Sequence, residues 1–398
     1  MPLGDQLACF AIATPGVESL LASELDALGI AVGESEPGGV EFQATRRQLA
    51  DALLWSRTAN RITVRLAVFH ARTFAELERA AAKVPWADVI ALGDSVHFRV
   101  TSKKSKLYHD GGIAERLEKV AAASIERIDV VRAAGVAGEM DEEDITIGRI
   151  GRIRRIVVRV MRDEVTLSAD AAGPLMYLRG YRQAVAKAPL RETLGAALLL
   201  ASGWDPALPL LDPMCGSGTI AIEAALIARR MAPGRARKFS AEAWPGFGEA
   251  FASARGDAAS RELATAPSAI TGHDRDVGAI AASQANAERA GVGADVKFAQ
   301  GAISTTVSDD GRGWIVTNPP YGARIGEKTA LRDLYAVLGR VMRERRPGWR
   351  FVMLSADRML EGQMGMKLEE VLRTTNGGLP VRGVRDERRE TRDERGKR

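Results

Sequence analysis

The sequence predicts an α/β chain: a mostly parallel sheet flanked by helices from about residue 171 onward, preceded by an α+β region. Three observations carry this reading. Short apolar runs near residues 208–212, 268–274 and 313–317 alternate with Ala-rich helical stretches, the pattern of parallel strands joined by crossover helices. The first 70 residues instead follow a β-α-β-α-β order. At 398 residues and 46% hydrophobic content, the chain exceeds what one core supports and has enough apolar material for two or three domains.

The N-terminal block, 1–65, opens on the strand-like run Leu7-Ala8-Cys9-Phe10-Ala11-Ile12-Ala13. Pro15-Gly16 turns the chain into a helix predicted over 17–28, with an apolar face of Leu20, Leu21, Leu25 and Leu28, and Gly29 stops it. Val40-Glu41-Phe42-Gln43-Ala44 alternates as a strand does, 46–56 reads as a second helix, and 60–69 alternates again through Ile62, Val64, Leu66 and Val68. This order suggests a small ferredoxin-like unit. A second block, 66–170, holds a strand over 96–100, a basic loop with Tyr108, a helix over 112–123, and runs at 145–160 and 165–169 that read as a closing hairpin. Gly111-Gly112 is expected to bend the chain ahead of that helix.

Charge in the second block is uneven. Residues 145–162 carry Arg149, Arg152, Arg154, Arg155, Arg159 and Arg162 with no acid, and Lys103, Lys104 and Lys106 form another cluster. A run of this kind is commonly a solvated strand face. Two acid-free clusters in one block, in a chain of pI about 9.3, point to phosphate contact. The candidate phosphate contacts are Lys103, Lys104, Lys106, Arg152, Arg154 and Arg155, and with a net charge of only +5 the footprint is local.

The third block, 171–385, carries the ligand motifs. Asp212-Pro213-Met214-Cys215-Gly216-Ser217-Gly218-Thr219 lies between an apolar strand and a helix rich in Ala, Leu and Ile. The two glycines let backbone N–H groups approach a ligand at a helix N-terminus, where the dipole favours anions. The Lys of a P-loop is missing, and Ala221 stands where a dinucleotide fingerprint has its third Gly. An acid ahead of the glycines suits a zwitterion: ammonium on Asp212, carboxylate on the amides. The methionine moiety of S-adenosylmethionine has both groups. A second strand ends in His273-Asp274-Arg275, where Asp274 is placed to accept ribose hydroxyls unless it merely caps the next helix. An insertion around 233–267 accounts for the 62 residues separating Asp212 from Asp274.

Asn318-Pro319-Pro320-Tyr321 follows the β-branched run Gly313-Trp314-Ile315-Val316-Thr317, so it stands where a strand ends. Two prolines hold the backbone extended and remove two donors. The Asn318 side-chain oxygen and the Pro319 carbonyl then form an acceptor pair for a planar –NH2 group, and Tyr321 offers a flat face for a base. If only that face is used, its hydroxyl is dispensable. Such tetrapeptides also occur in ordinary turns and polyproline ligands, so the flanking motifs decide.

Other features narrow the class. Cys9 and Cys215 are the only cysteines, which argues for a reducing, cytoplasmic compartment and against a disulfide framework. His70, His97, His109 and His273 show no metal-ligand spacing, so no metal is expected. The N-terminus carries Asp5 and no basic segment, unlike a secretory signal, and the apolar stretch over 193–204 is too short to span a bilayer. The tail 386–398 is mixed-charge, without apolar residues, and is expected to be disordered.

Taken together, these residues resemble the class I S-adenosylmethionine-dependent methyltransferases that modify exocyclic amines. More narrowly, they resemble the THUMP-domain RNA guanine-N2 methyltransferases, and among these the bacterial members acting on large-subunit ribosomal RNA. The narrow resemblance rests on Leu178-Arg179-Gly180-Tyr181-Arg182, Ala188-Pro189-Leu190-Arg191-Glu192-Thr193-Leu194, Ala232-Pro233-Gly234, Leu54-Trp55-Ser56-Arg57 and the two ligand motifs, up to about residue 385. It implies a Rossmann-like domain with a mostly parallel seven-stranded sheet over 171–385, and a THUMP-like RNA-binding domain over 66–170. S-adenosylmethionine is the implied cofactor and RNA the implied partner. In such enzymes an Asp after the third strand receives the adenine amino group; here the matching position is Ala302, so that edge would lean on backbone or on Gln300. Rival readings are a tRNA guanine, DNA adenine-N6 or protein glutamine methyltransferase, and a non-catalytic RNA-binding assembly factor.

Overall fold

The computed structural model describes residues 3–125, 129–130, 153–183, 190–305, 307, 309, 311–321 and 328–387. They divide into two compact units, one built from 1–14, 21–178 and 232–260, the other from 15–20, 179–231 and 261–398.

The first unit contains β1 (Leu7–Ala13), α1 (Glu18–Ala27), β2 (Ala31–Glu36), β3 (Gly39–Ala44), α2 (Arg46–Trp55) and β4 (Ala59–His70). These are followed by α3 (Phe74–Ala81), β5 (Ser95–Lys103), α4 (Asp110–Ser124), β6 (Asp129–Val130), β7 (Ile153–Met161) and β8 (Glu164–Asp170). One sheet runs β2-β3-β1-β4-β8-β7-β5-β6, antiparallel except where β5 meets β7 and β6. Alternate residues of β1 face the core, with Leu7, Cys9, Ala11 and Ala13 buried, as period-two patterning requires. β4 runs across the boundary expected at residue 65. It pairs with β1 along one edge and with β8 along the other, through Thr63–His70, so both expected blocks share a single sheet. β2 is largely exposed and polar (Ala-Val-Gly-Glu-Ser-Glu) and gave no apolar alternation to detect.

The Leu54-Trp55-Ser56-Arg57 segment ends α2 and turns into β4. Half-buried Glu24 of α1 holds that turn by accepting from the Arg57 N–H (2.8 Å), the Thr58 N–H (3.1 Å) and the Ser56 hydroxyl (3.3 Å). Gly111 and Gly112 do not bend the chain; they lie in the first turn of α4, where the His109 Nδ1 cap accepts from the Gly112 N–H at 2.8 Å.

The second unit alternates α5 (Glu192–Ser202), β9 (Leu210–Asp212), α6 (Thr219–Ala228), then, after the insertion that carries α7 (Gly248–Ser260), β10 (Ile270–Asp274) and α8 (Val277–Ala290). β11 (Val296–Gln300), β12 (Trp314–Thr317), α9 (Lys328–Glu344), β13 (Arg350–Ser355), α10 (Arg358–Gln363), β14 (Leu368–Asn376) and β15 (Leu379–Asp386) follow. Its sheet runs β11-β10-β9-β12-β13-β15-β14. The first five strands are parallel and β15 is antiparallel to both neighbours, so the mostly parallel seven-stranded sheet is present. α9 lays Tyr335 and Leu338 against Ile315, Phe351 and Met353, all fully buried.

The insertion differs from expectation. Residues 232–260 belong to the first unit, where α7 packs on α2: the Arg47 guanidinium reaches Asp257 Oδ2 at 2.6 Å and Ser253 Oγ at 2.7 Å. Gly234 donates its N–H to the Leu54 carbonyl at 2.9 Å, and a Cβ there would stand 2.9 Å from the Leu53 carbonyl oxygen. At the other end, Asp386 is buried and accepts the Phe351 N–H at 2.8 Å, so the ordered chain runs past the expected start of the tail; 388–398 lie outside the described residues. Among the described residues no helix is long and apolar enough to cross a membrane.

Candidate active site

In the second unit the strand order reverses between β9 and β12, and in parallel sheets the crevice at the carboxyl ends of such strands is where ligands bind. β9 ends at Asp212, β10 at Asp274 and β12 at Thr317. A cavity of about 850 Å³ opens there. It is lined by Asp212, Pro213, Met214, Cys215, Gly216, Ser217, Thr219, Asp274, Arg275, Ala302, Asn318, Pro319, Pro320 and Tyr321. The remaining residue of the predicted set, Gly218, makes the turn itself. Gly216 and Gly218 have φ of +54° and +86°, which L side chains rarely adopt, and a Cβ on Gly218 would stand 3.1 Å from both Ser283 Cβ and Phe298 Cζ. Ser283 and Asn286 of α8 fix the turn from behind by donating to the Gly216 and Ser217 carbonyls at 2.8 and 3.0 Å.

Asp212 is 1% exposed. Its Oδ1 accepts from Thr317 Oγ1 at 2.8 Å and from the Met214 N–H at 3.2 Å. Burial nonetheless pushes its carboxyl up to about 7, with nearby Asp274 adding to the rise, so the site favours a cation. Asp274 accepts the Gly216 N–H on Oδ2 (3.0 Å) and the Asp276 N–H on Oδ1 (2.9 Å). The capping role that competed for it belongs to Asp276, whose side chain accepts from the Gly278 N–H at the start of α8. The Cys215 thiol is buried, and that burial holds it well above its ordinary range.

Asn318 Oδ1 is a buried acceptor with no hydrogen-bond partner among the described residues. Leaving such an atom unpaired costs about 1–3 kcal/mol, and a ligand donor on the cavity side would supply the missing bond. Tyr321 is half-buried, and its hydroxyl accepts from Asn376 Nδ2 at 2.8 Å. The hydroxyl is therefore engaged, contrary to the expectation that only the ring face is used. Gln300 does not line the cavity: its amide donates to the Arg275 carbonyl at 3.1 Å, and the backbone at Gly301 and Ala302 forms that edge.

Sequence reasoning missed Asn376 and the α9 face of Leu331, Leu334 and Val337, all of which line the cavity. The apolar spacing of α9 was a usable signal. A polar residue ahead of Gly377-Gly378 reads only as a turn.

The predicted RNA contacts in the first unit need correction. Arg154 is 4% exposed and forms a two-pronged pair with buried Asp94, Nε to Oδ2 at 2.7 Å and Nη2 to Oδ1 at 3.1 Å. On β7 it shares the core-facing parity of Ile156, Val158 and Val160. Arg155 is also buried, 4.0 Å from Asp170, which pairs with Arg61. Neither guanidinium is available to a phosphate. Arg149 and Arg152 lie outside the described residues. Lys103, Lys104 and Lys106 are exposed, and so are Arg99, Arg159 and Arg162. The parallel register sets Thr101 opposite Arg159, so Arg99 and Arg159 share the exposed face of β5 and β7. Asp163 locks the lysine loop by accepting the Lys106 N–H (2.8 Å), and Tyr108 stands 81% exposed beside it.

A family model for RMKL-like methyltransferase domains matches residues 179–383, and one for the RlmL ferredoxin-like domain matches 8–63. The chain is 34% identical over 391 residues to the ribosomal RNA large subunit methyltransferase K/L of Syntrophotalea carbinolica, covering 94% of this chain and 52% of that protein. It thus spans about half the length of that relative. It is 32% identical to slr0064 of Synechocystis sp., a provisionally named RNA methyltransferase, over 93% of this chain and 94% of that one. Among solved structures, SMU.472 complexed with SAH superposes with a TM-score of 0.83 at 28% identity, covering 98% of this chain and 100% of the other. A Listeria monocytogenes protein described as a predicted N6-adenine-specific DNA methylase gives 0.80 at 31% identity, covering 95% and 96%.

Proposed function

The chain belongs to the RMKL-like methyltransferase family, and on that premise we propose that it methylates the exocyclic N2 amine of a guanosine in RNA, with S-adenosylmethionine as donor and large-subunit ribosomal RNA as substrate. The observation that carries this is the unpartnered, buried Asn318 Oδ1 in the same cavity as the Asp212 carboxylate and the glycine turn. The cavity suits the cofactor: Asp212 would take the ammonium, the N–H groups at the start of α6 the carboxylate, Asp274 and the adjoining loop the ribose, and the backbone at Ala302 the adenine edge. When bound, S-adenosylmethionine supplies a methyl group activated by its sulfonium.

The chain's own residues do the rest by positioning. A guanine N2 amine is a poor nucleophile because its lone pair is delocalised into the ring. Accepting its two N–H bonds on Asn318 Oδ1 and the Pro319 carbonyl localises that lone pair and aims it. The proton leaves late, to water, so no strong base is required. The base must leave its stack to reach the cavity, and Tyr321 receives its face. The first unit, read as THUMP-like, docks the RNA through Arg99, Arg159, Arg162 and the lysine loop, with Tyr108 as an exposed stacking surface. This reading puts the protein in the cytoplasm with its RNA.

The test is methyl transfer to naked large-subunit ribosomal RNA, tRNA and duplex DNA side by side, with identification of the modified nucleoside. N2-methylguanosine in the ribosomal RNA is the expected product. N6-methyladenosine in DNA would replace this reading with the activity named for the Listeria relative.

A further inference from the structure

The hairpin of β14 and β15 meets the cavity at its tip. Asn376 pairs with Leu379, so Gly377-Gly378 is a two-residue turn, and φ of +57° and +83° place both glycines in the left-handed region that such a turn demands. Asn376 is thereby fixed as the last ladder residue of β14, half-buried, with its side chain in the cavity wall that also holds Asn318 and Tyr321. Its Nδ2 donates to the Tyr321 hydroxyl at 2.8 Å. Pro319 and Pro320 restrict the backbone that leads to Tyr321, but they do not choose among the staggered χ1 rotamers that aim its ring. The hydroxyl anchor does, because the oxygen lies on the ring's long axis and holding it fixes where that axis points. Burial pushes the phenol above its ordinary range, so it stays neutral and able to take part in that bond.

We propose that Asn376 is a positioning residue for the target base: by holding the Tyr321 hydroxyl it fixes the long axis of the ring on which the base stacks, and hence the place at which the base's amine meets Asn318 Oδ1. The inference rests on the amine-methylation reading and assigns that site a second support, delivered from a hairpin 55 residues downstream of Tyr321. Misplacement of a reacting group by about 1 Å costs on the order of 10²-fold in rate, so loss of the anchor should appear in turnover more than in binding.

The experiment uses full-length protein carrying Tyr321→Phe, Asn376→Ala and both together. Each single change should lower kcat about tenfold or more, with KM for RNA and S-adenosylhomocysteine affinity within about twofold of wild type. The double variant should be no slower than the slower single one, because both changes remove the same bond. Asn376→Asp, whose carboxylate can accept from the hydroxyl, should recover part of the rate. Independent losses that multiply in the double variant, or wild-type kcat in Tyr321→Phe, would overturn the proposal. A second readout needs no turnover. With five tyrosines in the chain, ring-labelled NMR assigns Tyr321 by its loss in Tyr321→Phe. Its signal should shift or broaden in Asn376→Ala, and an unchanged signal refutes the anchor. If the methylated amine proves to be adenine, the guanine reading fails while the coupling is still measured on that substrate.

Discussion

Thr317 donates its hydroxyl hydrogen to Asp212 Oδ1 across 2.8 Å, and this bond joins the ends of the two strands that flank the point where the sheet order reverses. It steadies a carboxylate that burial would otherwise push still further from its ionised form.

A pH dependence follows from that pair. Burial pushes the Asp212 carboxyl up to about 7 in the folded protein, from an ordinary value of 3.8. The folded value is the higher one, so the native state holds the proton more tightly. Asp212 therefore withdraws stability from the ligand-free protein as pH rises from about 4 to 7. Binding of an ammonium requires the ionised form. Calorimetry with S-adenosylhomocysteine should show affinity steady above pH 7 and falling below it, approaching tenfold per unit. Thr317→Val removes a bond that favours ionisation and should move the fall to higher pH. A pH-independent affinity would place the ammonium elsewhere.

Asn318→Ala should reduce methyl transfer by about 10²-fold or more, by analogy with deleting one oxyanion-hole donor. Its Oδ1 has no hydrogen-bond partner among the described residues, so the substitution should leave the melting temperature unchanged or raised. Calorimetry should find S-adenosylhomocysteine bound as before. Full activity in this variant would refute the acceptor-pair mechanism for any substrate.

Arginines in the first unit should separate by exposure. Replacing Arg99, Arg159 and Arg162 with Ala should flatten the salt dependence of RNA binding by roughly 0.7–0.9 units of log–log slope per lost phosphate contact, without altering S-adenosylhomocysteine affinity. Arg154→Ala should behave oppositely: it strands buried Asp94 and should cost about 3–5 kcal/mol in chemical denaturation. An unchanged salt slope in the triple variant would return those exposed cations to an ordinary solvated face.

Gly218→Ala tests the turn. A residue with a Cβ is strained at φ +86°, and here it also presses on Ser283 and Phe298. A loss of about 1–3 kcal/mol in stability together with weakened S-adenosylhomocysteine binding is expected, measured by thermal melts with and without ligand. A variant that binds as tightly as wild type would show that the turn tolerates a different path.

The sequence was most readable where chemistry sits on contiguous residues at a strand end. Asp212, Asp274 and Asn318 each follow an apolar run, and a parallel sheet brings such ends together without further information. Arg154 and Asp94 show the opposite case: the partners lie 60 residues apart, and only strand parity distinguishes a paired core arginine from the exposed Arg159. Asn376 was hidden because its function depends on a hairpin tip meeting Tyr321, a long-range contact with no local signature. The helix over 248–260 was readable as an insertion, but the surface it packs on was not.

That helix has a consequence for how the protein is made. Ser253 and Asp257, which Arg47 grips, emerge from the ribosome more than two hundred residues after it. The first unit therefore cannot complete its packing until part of the second has been synthesised. No single scission separates the two, and a truncation begun at residue 171 would carry α7 without the α2 surface that covers it. A nascent chain waiting in that state exposes the side of α2 on which α7 packs, which makes the interval before residue 260 a point in biogenesis where misfolding or chaperone capture is favoured.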